Sequence, residues 1–102
     1  MLPLIILTGP TGSGKSETAL ALARKLSTDI ISADSMQVYK YFDIGTAKPS
    51  LAAREEIPHH LIDILEPDQE FNAFSFKVRA LNIILKLIKR GKIPILVGGT
   101  GL

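Results

Sequence analysis

An eight-residue stretch near the start of the chain constrains its fold more than any other feature. Residues 9–16 read Gly-Pro-Thr-Gly-Ser-Gly-Lys-Ser and fit the pattern G-x-x-x-x-G-K-S/T. A short apolar run at residues 4–7 precedes the stretch, and apolar residues at helical spacing follow it. In this strand–loop–helix setting, the backbone N–H groups of the loop converge on an anion at the positive end of the new helix. The stretch therefore predicts that the chain binds a di- or triphosphate.

The residues of this loop have separate expected roles. The glycines let the backbone approach the ligand closely, Lys15 adds a positive charge, and Ser16 offers a hydroxyl to Mg²⁺. The residues expected to bind the phosphates are Gly9, Pro10, Thr11, Gly12, Ser13, Gly14, Lys15 and Ser16. The loop alone does not identify the reaction, because many different nucleotide-binding proteins share it.

Composition limits the class of protein. The chain has 102 residues, of which 46% are hydrophobic and 22% are charged, as in one small globular domain. The net charge of +2 is too small to indicate a nucleic-acid partner by itself. The absence of cysteine excludes disulfides, thiolate metal sites and a cysteine nucleophile. No apolar run approaches the roughly 20 residues of a membrane span. No basic segment precedes the first apolar residues, so we expect no signal peptide, and the absence of cysteine fits a cytoplasmic protein.

Strands and helices are predicted to alternate along the chain. Strands are expected at residues 4–8, 29–33, 60–65 and 95–97, and helices at residues 14–26, 50–56 and 72–90. Ser50 and Gly91 are the expected caps of the second and third helices. The alternation predicts an α/β fold, a P-loop NTPase-like parallel sheet with helices on both faces. In the third helix, the apolar residues expected to face the core are Phe74, Val78, Leu81, Leu85 and Ile88.

Polar residues follow three of these strands, at the edge where ligands bind in such sheets. The loop of residues 9–16, the segment 34–37 and the segment 98–100 are expected to converge on one site. Asp34 is interpreted either as a group that orients Mg²⁺ or as a general base, the alternative being a cap of the next turn. Thr100 either donates its hydroxyl to a leaving-group oxygen or caps a helix. The last strand lacks the terminal aspartate that holds Mg²⁺ in many P-loop enzymes, which argues against an ordinary ATPase or GTPase.

Three other groups of residues have weaker claims on function. His59 and His60 are neighbours in a predicted strand and point to opposite faces, so they are not expected to share a metal ion. Phe71, Phe74 and Phe76 form either part of the core or a stacking platform for bases, and the place of Phe74 in the helical stripe favours the core. Basic residues of the last helix are expected to form a solvated face rather than to contact a phosphate backbone; they are Lys77, Arg79, Lys86 and Lys89.

Four stretches of the sequence together resemble the tRNA dimethylallyltransferase family, also called tRNA isopentenyltransferases. They match the amino-terminal part of that family in order and spacing, and they are residues 9–16, 31–39 with 43–49, 58–63 and 94–102. The second stretch is the most specific, because it contains Asp-Ser-Met-Gln-Val-Tyr at 34–39 and Asp-Ile-Gly-Thr-Ala-Lys-Pro at 43–49. On these residues the chain is identified as a member of the family.

The resemblance implies a reaction. A dimethylallyl group passes from dimethylallyl diphosphate to the N6 amine of the adenosine directly 3′ of the tRNA anticodon (tRNA position 37), and diphosphate leaves. By the family pattern, Asp34 accepts the proton of the attacking amine, and Thr100 touches the reacting centre and the bridging oxygen. Lys15 and Ser16 hold the diphosphate and Mg²⁺. The tRNA adenine, flipped out of its stack, is contacted by Asp34, Ser35, Met36, Gln37 and Thr100.

The resemblance covers only the first part of the family's longer enzymes. We therefore expect residues 1–102 to be a partial P-loop prenyltransferase domain, without the later strands and the tRNA-binding insertion, and inactive alone. The first strand would then lie at an open edge of the sheet. The full-length enzyme is expected to be a monomer, and the resemblance gives His59 and His60 no role. Three alternatives stay open: a small-molecule P-loop kinase, a prenyltransferase acting on free adenylate, and a phosphate-binding remnant without catalytic activity.

Overall fold

Strands and helices alternate along the described part of the chain. A computed structural model describes residues 3–10, 14–34, 37–41 and 48–99. The elements are β1 (Ile5–Thr8), α1 (Lys15–Leu26), β2 (Ile30–Ser32), α2 (Leu51–Glu56), β3 (His59–His60), α3 (Ala73–Lys89) and β4 (Ile95–Gly98). The strands form a four-stranded sheet of order β1-β4-β2-β3 in which each neighbouring pair is parallel. The predicted parallel α/β fold is therefore confirmed.

Alternate residues of the strands pack into two separate hydrophobic clusters. The cluster at α1 is built on Ala19, Ala23, Ile30, Ile57 and Ile95. The cluster at α3 is built on Ile31, Leu61, Ile84 and Leu87. Because successive strand residues such as Ile30 and Ile31 point to opposite faces, α1 and α3 cover opposite faces of the sheet. The prediction of helices on both faces is confirmed.

The side of α3 that faces the core differs from the prediction. Of the five residues expected in the core, four are exposed: Phe74 by 76%, Val78 by 41%, Leu81 by 47% and Leu85 by 45%. Only Ile88 packs against the α3 cluster, whose buried helix residues are Ile84 and Leu87. The predicted stripe is wrong because α3 carries apolar residues around much of its circumference, and helical spacing alone fits more than one stripe.

The aromatic residues near the start of α3 divide between core and surface. Phe76 packs against the α3 cluster, and its ring centroid lies 5.5 Å from that of Phe71. Phe74, in contrast, is one of the most exposed apolar residues of the described chain. The expectation that Phe74 belongs to the core is therefore wrong, and it fails for the same reason as the rest of the stripe.

The ends of the helices follow the expected capping chemistry. Ser50 caps α2, because its hydroxyl oxygen accepts a hydrogen bond from the Ala53 N–H at 3.1 Å. Gly91 follows α3 with a φ of 79°, and its N–H donates to the Ile88 carbonyl at 2.9 Å. The N–H of Lys92 donates to the Leu87 carbonyl at 3.0 Å, which completes a Schellman motif. A left-handed residue is required at this position, so glycine is the favoured residue.

The third strand is shorter than predicted. β3 ends at His60, whereas the sequence predicts a strand over residues 60–65. Leu61 has a φ of 68° and Asp63 a φ of 56°, and this left-handed backbone is incompatible with an extended strand. The chain instead makes an isolated parallel bridge between Tyr39 and Leu65.

The first strand occupies the edge of the sheet. β1 pairs with β4, and within the described residues its other side has no partner strand. Ile6, in the middle of β1, is 55% exposed. The expected open edge is thus present in this part of the chain. Among the residues that the structure describes, no helix has the length and apolar character needed to cross a membrane.

Candidate functional site

A cavity of about 380 Å³ lies at the carboxyl ends of the strands. Lys15 and Ser16, which follow β1, line it together with Asp34 and Gln37, which follow β2. Gly98, the last residue of β4, completes this side of the cavity. The three segments expected to converge therefore do so in their described parts, as the topology of a parallel sheet requires.

The position of Lys15 is set by the ends of two strands. Gly14, at the N-cap of α1, has a φ of 81°, which glycine tolerates and which turns the chain into the helix. The Lys15 ammonium donates hydrogen bonds to the Gly9 carbonyl at 2.5 Å and to the Gly98 carbonyl at 2.8 Å. A positive charge therefore lies beside the N-terminus of α1, where the helix dipole also favours an anion.

The segment after β2 carries one of the two described carboxylates that line the cavity, Asp34, and the other is Glu17 of α1. The N–H of Gln37 donates to the Asp34 carbonyl at 3.1 Å, which holds these two residues together. The hydroxyl of Ser32 donates to the side-chain oxygen of Gln37 at 2.8 Å. Ser32, Asp34 and Gln37 all line the cavity. An oxygen-rich wall thus stands in the same cavity as the ammonium of Lys15.

The hydroxyl of Ser16 and the carboxylate of Asp34 suit a hard cation. Both residues line the cavity, and Mg²⁺ prefers oxygen ligands. Magnesium in phosphate sites usually takes one or two protein oxygens and completes its shell with phosphate oxygens and water. The oxygen donors present therefore fit a magnesium ion that binds together with a diphosphate.

His59 belongs to the cavity, and the sequence did not indicate this. Its Nδ1 lies 2.6 Å from the Ile57 carbonyl, which only accepts, so Nδ1 carries the proton and Nε2 keeps its lone pair. Burial lowers the pKa of His59, and the positive charge of Arg54 lowers it further, against the opposing hydrogen bond to Ile57. The ring is therefore neutral at pH 7. The pairing of His59 with Ile30 would have revealed the cavity side, had the register of β3 been known.

His60 faces away from the cavity. It pairs with Ile31, a member of the α3 cluster, and its Nε2 lies 2.8 Å from a carboxylate oxygen of the buried Asp29. The prediction that the two histidines point to opposite faces is confirmed.

The other predicted site residues have different outcomes. Gly9 contacts Lys15 through its carbonyl, whereas Pro10 is exposed and does not line the cavity. Six further residues lie outside the described part of the chain, and they are Thr11, Gly12, Ser13, Ser35, Met36 and Thr100. The basic residues Lys77, Arg79, Lys86 and Lys89 are exposed on α3, as predicted.

The remaining walls of the cavity are largely apolar. They come from α1, β2, α2, β4 and two connecting segments, and include Ala19, Leu20, Ile30, Pro49, Ala53, Ile62 and Val97. Charged and hydrocarbon surfaces therefore lie side by side. Such a cavity can hold an anion near Lys15 and an apolar group against the wall, and a carboxylate of its lining can accept a proton.

Comparison with known proteins assigns the chain to a family. The family model of IPP transferases matches residues 37–102, and that of isopentenyl transferases matches residues 2–63. The tRNA dimethylallyltransferase of Pelotomaculum thermopropionicum is 55% identical over 100 residues, which are 98% of this chain and 32% of that protein.

Two solved structures share the fold. The tRNA isopentenylpyrophosphate transferase of Staphylococcus epidermidis is 53% identical with a TM-score of 0.89, over 96% of this chain and 32% of the other. The full-length enzyme of Bacillus halodurans is 44% identical with a TM-score of 0.91, over 99% of this chain and 33% of the other. The chain thus spans about a third of the length of these relatives. By sequence and by fold, the chain belongs to the isopentenyl transferase family.

Proposed function

We propose that this chain forms the diphosphate- and adenine-binding part of a tRNA dimethylallyltransferase. The observation that carries the proposal is the shared cavity, in which Lys15 and Ser16 after β1 meet Asp34 and Gln37 after β2. The relative from P. thermopropionicum bears the name of this activity, which supports the choice of donor and acceptor. The proposed reaction moves a dimethylallyl group to N6 of the adenosine next to the tRNA anticodon.

The donor's diphosphate would lie against the start of α1. As the allylic carbon–oxygen bond breaks, its electron pair stays on the diphosphate, and negative charge grows on the leaving oxygen. The Lys15 ammonium, which bonds the Gly9 and Gly98 carbonyls beside the N-terminus of α1, would stabilise that charge together with the helix dipole. The Ser16 hydroxyl would help to hold a magnesium ion, which would supply further positive charge at the leaving group.

Asp34 would serve the acceptor. The N6 amine forms a new bond to the allylic carbon, and its excess proton passes to the Asp34 carboxylate. Gln37, whose side chain bonds Ser32, would contact the adenine beside it. Ser35, Met36 and Thr100 are proposed to complete the contacts, with Thr100 at the bridging oxygen.

The apolar walls favour a prenyl donor over a nucleotide. A kinase site is occupied by phosphates and a sugar, whereas this cavity sets Leu20, Ile30 and Val97 beside its charged residues. A dimethylallyl diphosphate joins an anion to a hydrocarbon, so it matches both surfaces. The proposal therefore ranks above the small-molecule kinase.

The activity is proposed for the longer enzyme. Because the chain spans about a third of its relatives, we infer that it lacks transfer activity alone. The complete enzyme is proposed to be a cytoplasmic monomer that binds the anticodon stem-loop.

A transfer assay tests the proposal. Radiolabelled dimethylallyl diphosphate and Mg²⁺ are incubated with unmodified tRNA, and in parallel with AMP. The assay uses this chain and the same chain joined to the carboxyl-terminal part of a relative. We expect label on tRNA only with the extended protein. Label on AMP would change the acceptor to a free nucleotide, and no transfer by a folded extended protein would refute the proposal.

A further inference from the structure

The carboxylate of Asp63 joins several segments that surround the cavity. One oxygen accepts a hydrogen bond from the Lys48 ammonium at 2.6 Å, and the other accepts one from the Arg54 guanidinium at 2.7 Å. The same ammonium donates to the Tyr39 carbonyl at 2.7 Å, and the same guanidinium donates to the Pro49 carbonyl at 3.1 Å. A single side chain thus connects the segment after β2, the segment before α2 and α2 itself.

The backbone of Asp63 makes a second connection to the segment after β2. Its N–H donates to the Gln37 carbonyl at 3.0 Å. The next two amides, of Ile64 and Leu65, donate to the Val38 carbonyl at 2.8 and 2.9 Å. Asp63 itself has a φ of 56°, a left-handed conformation that is unfavourable in a non-glycine residue. Such a conformation persists where surrounding contacts hold it, as they do here.

The charged side chains of this network influence the cavity through the residues that line it. Lys48, Arg54 and Asp63 do not line it, but their bonded or adjacent neighbours Gln37 and Pro49 do. The Lys48 side chain is only 3% exposed, so its charge is held inside the structure beside a carboxylate. Burial by itself would raise the pKa of Asp63, but the hydrogen bonds from Lys48 and Arg54 outweigh it and the pKa is lowered. The carboxylate is therefore ionised at pH 7.

We propose that Asp63 is a positioning residue, whose carboxylate, bound by Lys48 and Arg54, fixes the cavity wall that carries Gln37 and Pro49. The residue does not touch the ligand. It acts through the placement of Gln37, so it sets the fit of the acceptor rather than the binding of the diphosphate. The assignment to the acceptor side rests on the proposed function, because that function names the acceptor. The role of Asp63 in placing the cavity wall does not depend on the proposed function.

Amide hydrogen exchange of this chain tests the placement directly. The variant Asp63→Asn keeps the shape of the side chain and removes its charge. The control Glu66→Gln removes the same charge nearby, where Glu66 pairs with Lys40 at the surface. We expect Asp63→Asn to speed exchange at residues 63–65 about tenfold or more, because local opening governs these amides. Exchange at Ala33, whose N–H bonds the Val97 carbonyl, should not change.

Two results would overturn the proposal. One is unchanged exchange at residues 63–65, and the other is an equal rise at Ala33, which would mean a general loss of stability. If Asp63→Asn fails to fold, Arg54→Gln decides in its place, because it removes the less buried partner of the same carboxylate. For Arg54→Gln as well, unchanged exchange at residues 63–65 or an equal rise at Ala33 would overturn the proposal.

Kinetics of the extended enzyme separate positioning from mere structure. We expect Asp63→Asn to raise KM for tRNA about tenfold and to leave KM for dimethylallyl diphosphate within about twofold. Equal changes in both constants would refute the assignment to the acceptor side. Absence of transfer by the unaltered extended enzyme would count against the proposed function, while the exchange pattern still decides the role of Asp63.

Discussion

The ammonium of Lys15 donates a hydrogen bond to the Gly98 carbonyl at 2.8 Å, across 83 positions of sequence. The bond joins the start of α1 to the end of β4, and a second bond from the same ammonium reaches Gly9 at the end of β1. The lysine of the phosphate loop therefore also links the two neighbouring strands β1 and β4 at the mouth of the cavity.

Replacing Lys15 tests the phosphate site. In Lys15→Met the loop keeps its length but loses a charged donor, which contributes about 1.5–3 kcal/mol to an anion. We expect magnesium diphosphate to bind about 10–100-fold more weakly, as measured by calorimetry. Lys77→Met, on the exposed face of α3, is the control and should bind as the unaltered chain does. Equal affinities for both variants would place the anion elsewhere.

Replacing Asp34 tests the proton acceptor. In the extended enzyme, Asp34→Asn keeps the side-chain shape but cannot take the proton from the attacking amine. We expect single-turnover prenyl transfer to fall about 10²–10⁴-fold, the usual contribution of a general base. Diphosphate binding measured without Mg²⁺ should stay within about twofold, since Lys15 holds that group. Asp68→Asn, in an exposed turn, should transfer at the normal rate. Normal transfer by Asp34→Asn would exclude the assigned role.

Two leucines of α3 test which side of the helix is buried. Leu87 is 2% exposed, whereas Leu85, two positions earlier, is 45% exposed. Leu87→Ala should lower the free energy of unfolding by about 2–5 kcal/mol, because it leaves a cavity in the α3 cluster. Leu85→Ala should lower it by less than about 1 kcal/mol. Urea unfolding followed by circular dichroism measures both, and a larger loss for Leu85→Ala would mean that the helix is turned the other way.

The pKa of Asp63 predicts a pH dependence of stability. A carboxyl whose pKa is lower in the folded state stabilises the fold above its unfolded pKa, ordinarily 3.8, and this contribution fades as pH falls below it. At pH 7 we expect Asp63→Asn to be less stable than the unaltered chain by about 1–2 kcal/mol, allowing for partial exposure. The difference should shrink between pH 4 and the acid limit of folding.

The comparison of Asp63→Asn with the unaltered chain removes the contribution of the other titrating carboxyl groups. Glu56 also has a lowered pKa, through its hydrogen bond and charge interaction with Arg24, but it is common to both proteins and cancels. Urea unfolding at several pH values gives the difference. A difference that grows as pH falls would contradict the assigned direction.

Local signals in the sequence were sufficient for most elements. The phosphate loop, the apolar runs and the caps at Ser50 and Gly91 each depend on neighbouring residues, and the observed α1, α2, α3, β1, β2 and β4 lie within about two residues of the predicted bounds. The convergence of Lys15, Asp34 and Gly98 followed from the geometry of parallel strands.

Features that depend on contacts between residues far apart in the sequence could not be predicted from local signals. The buried side of α3 depends on where Ile31 and Leu96 lie, and a helix with apolar residues around much of its circumference carries no local mark of that side. The place of His59 depends on the register of β3 against β2. Asp63 meets Lys48 and Arg54 only because the chain turns at left-handed residues, and no spacing of charges in the sequence signals it.

The order of strands has a consequence for synthesis of the chain on the ribosome. β4 lies between β1 and β2 and is the last in sequence of these four described strands, so among them β1 has no partner until β4 has been made. Closing so long a segment carries an entropy cost that precedes the gain from pairing, which slows folding. The nascent chain therefore exposes the apolar β1, and Lys15 lacks the Gly98 carbonyl as a partner, until β4 leaves the exit tunnel. Loss of β4 would separate β1 from β2 and dismantle the site at its centre.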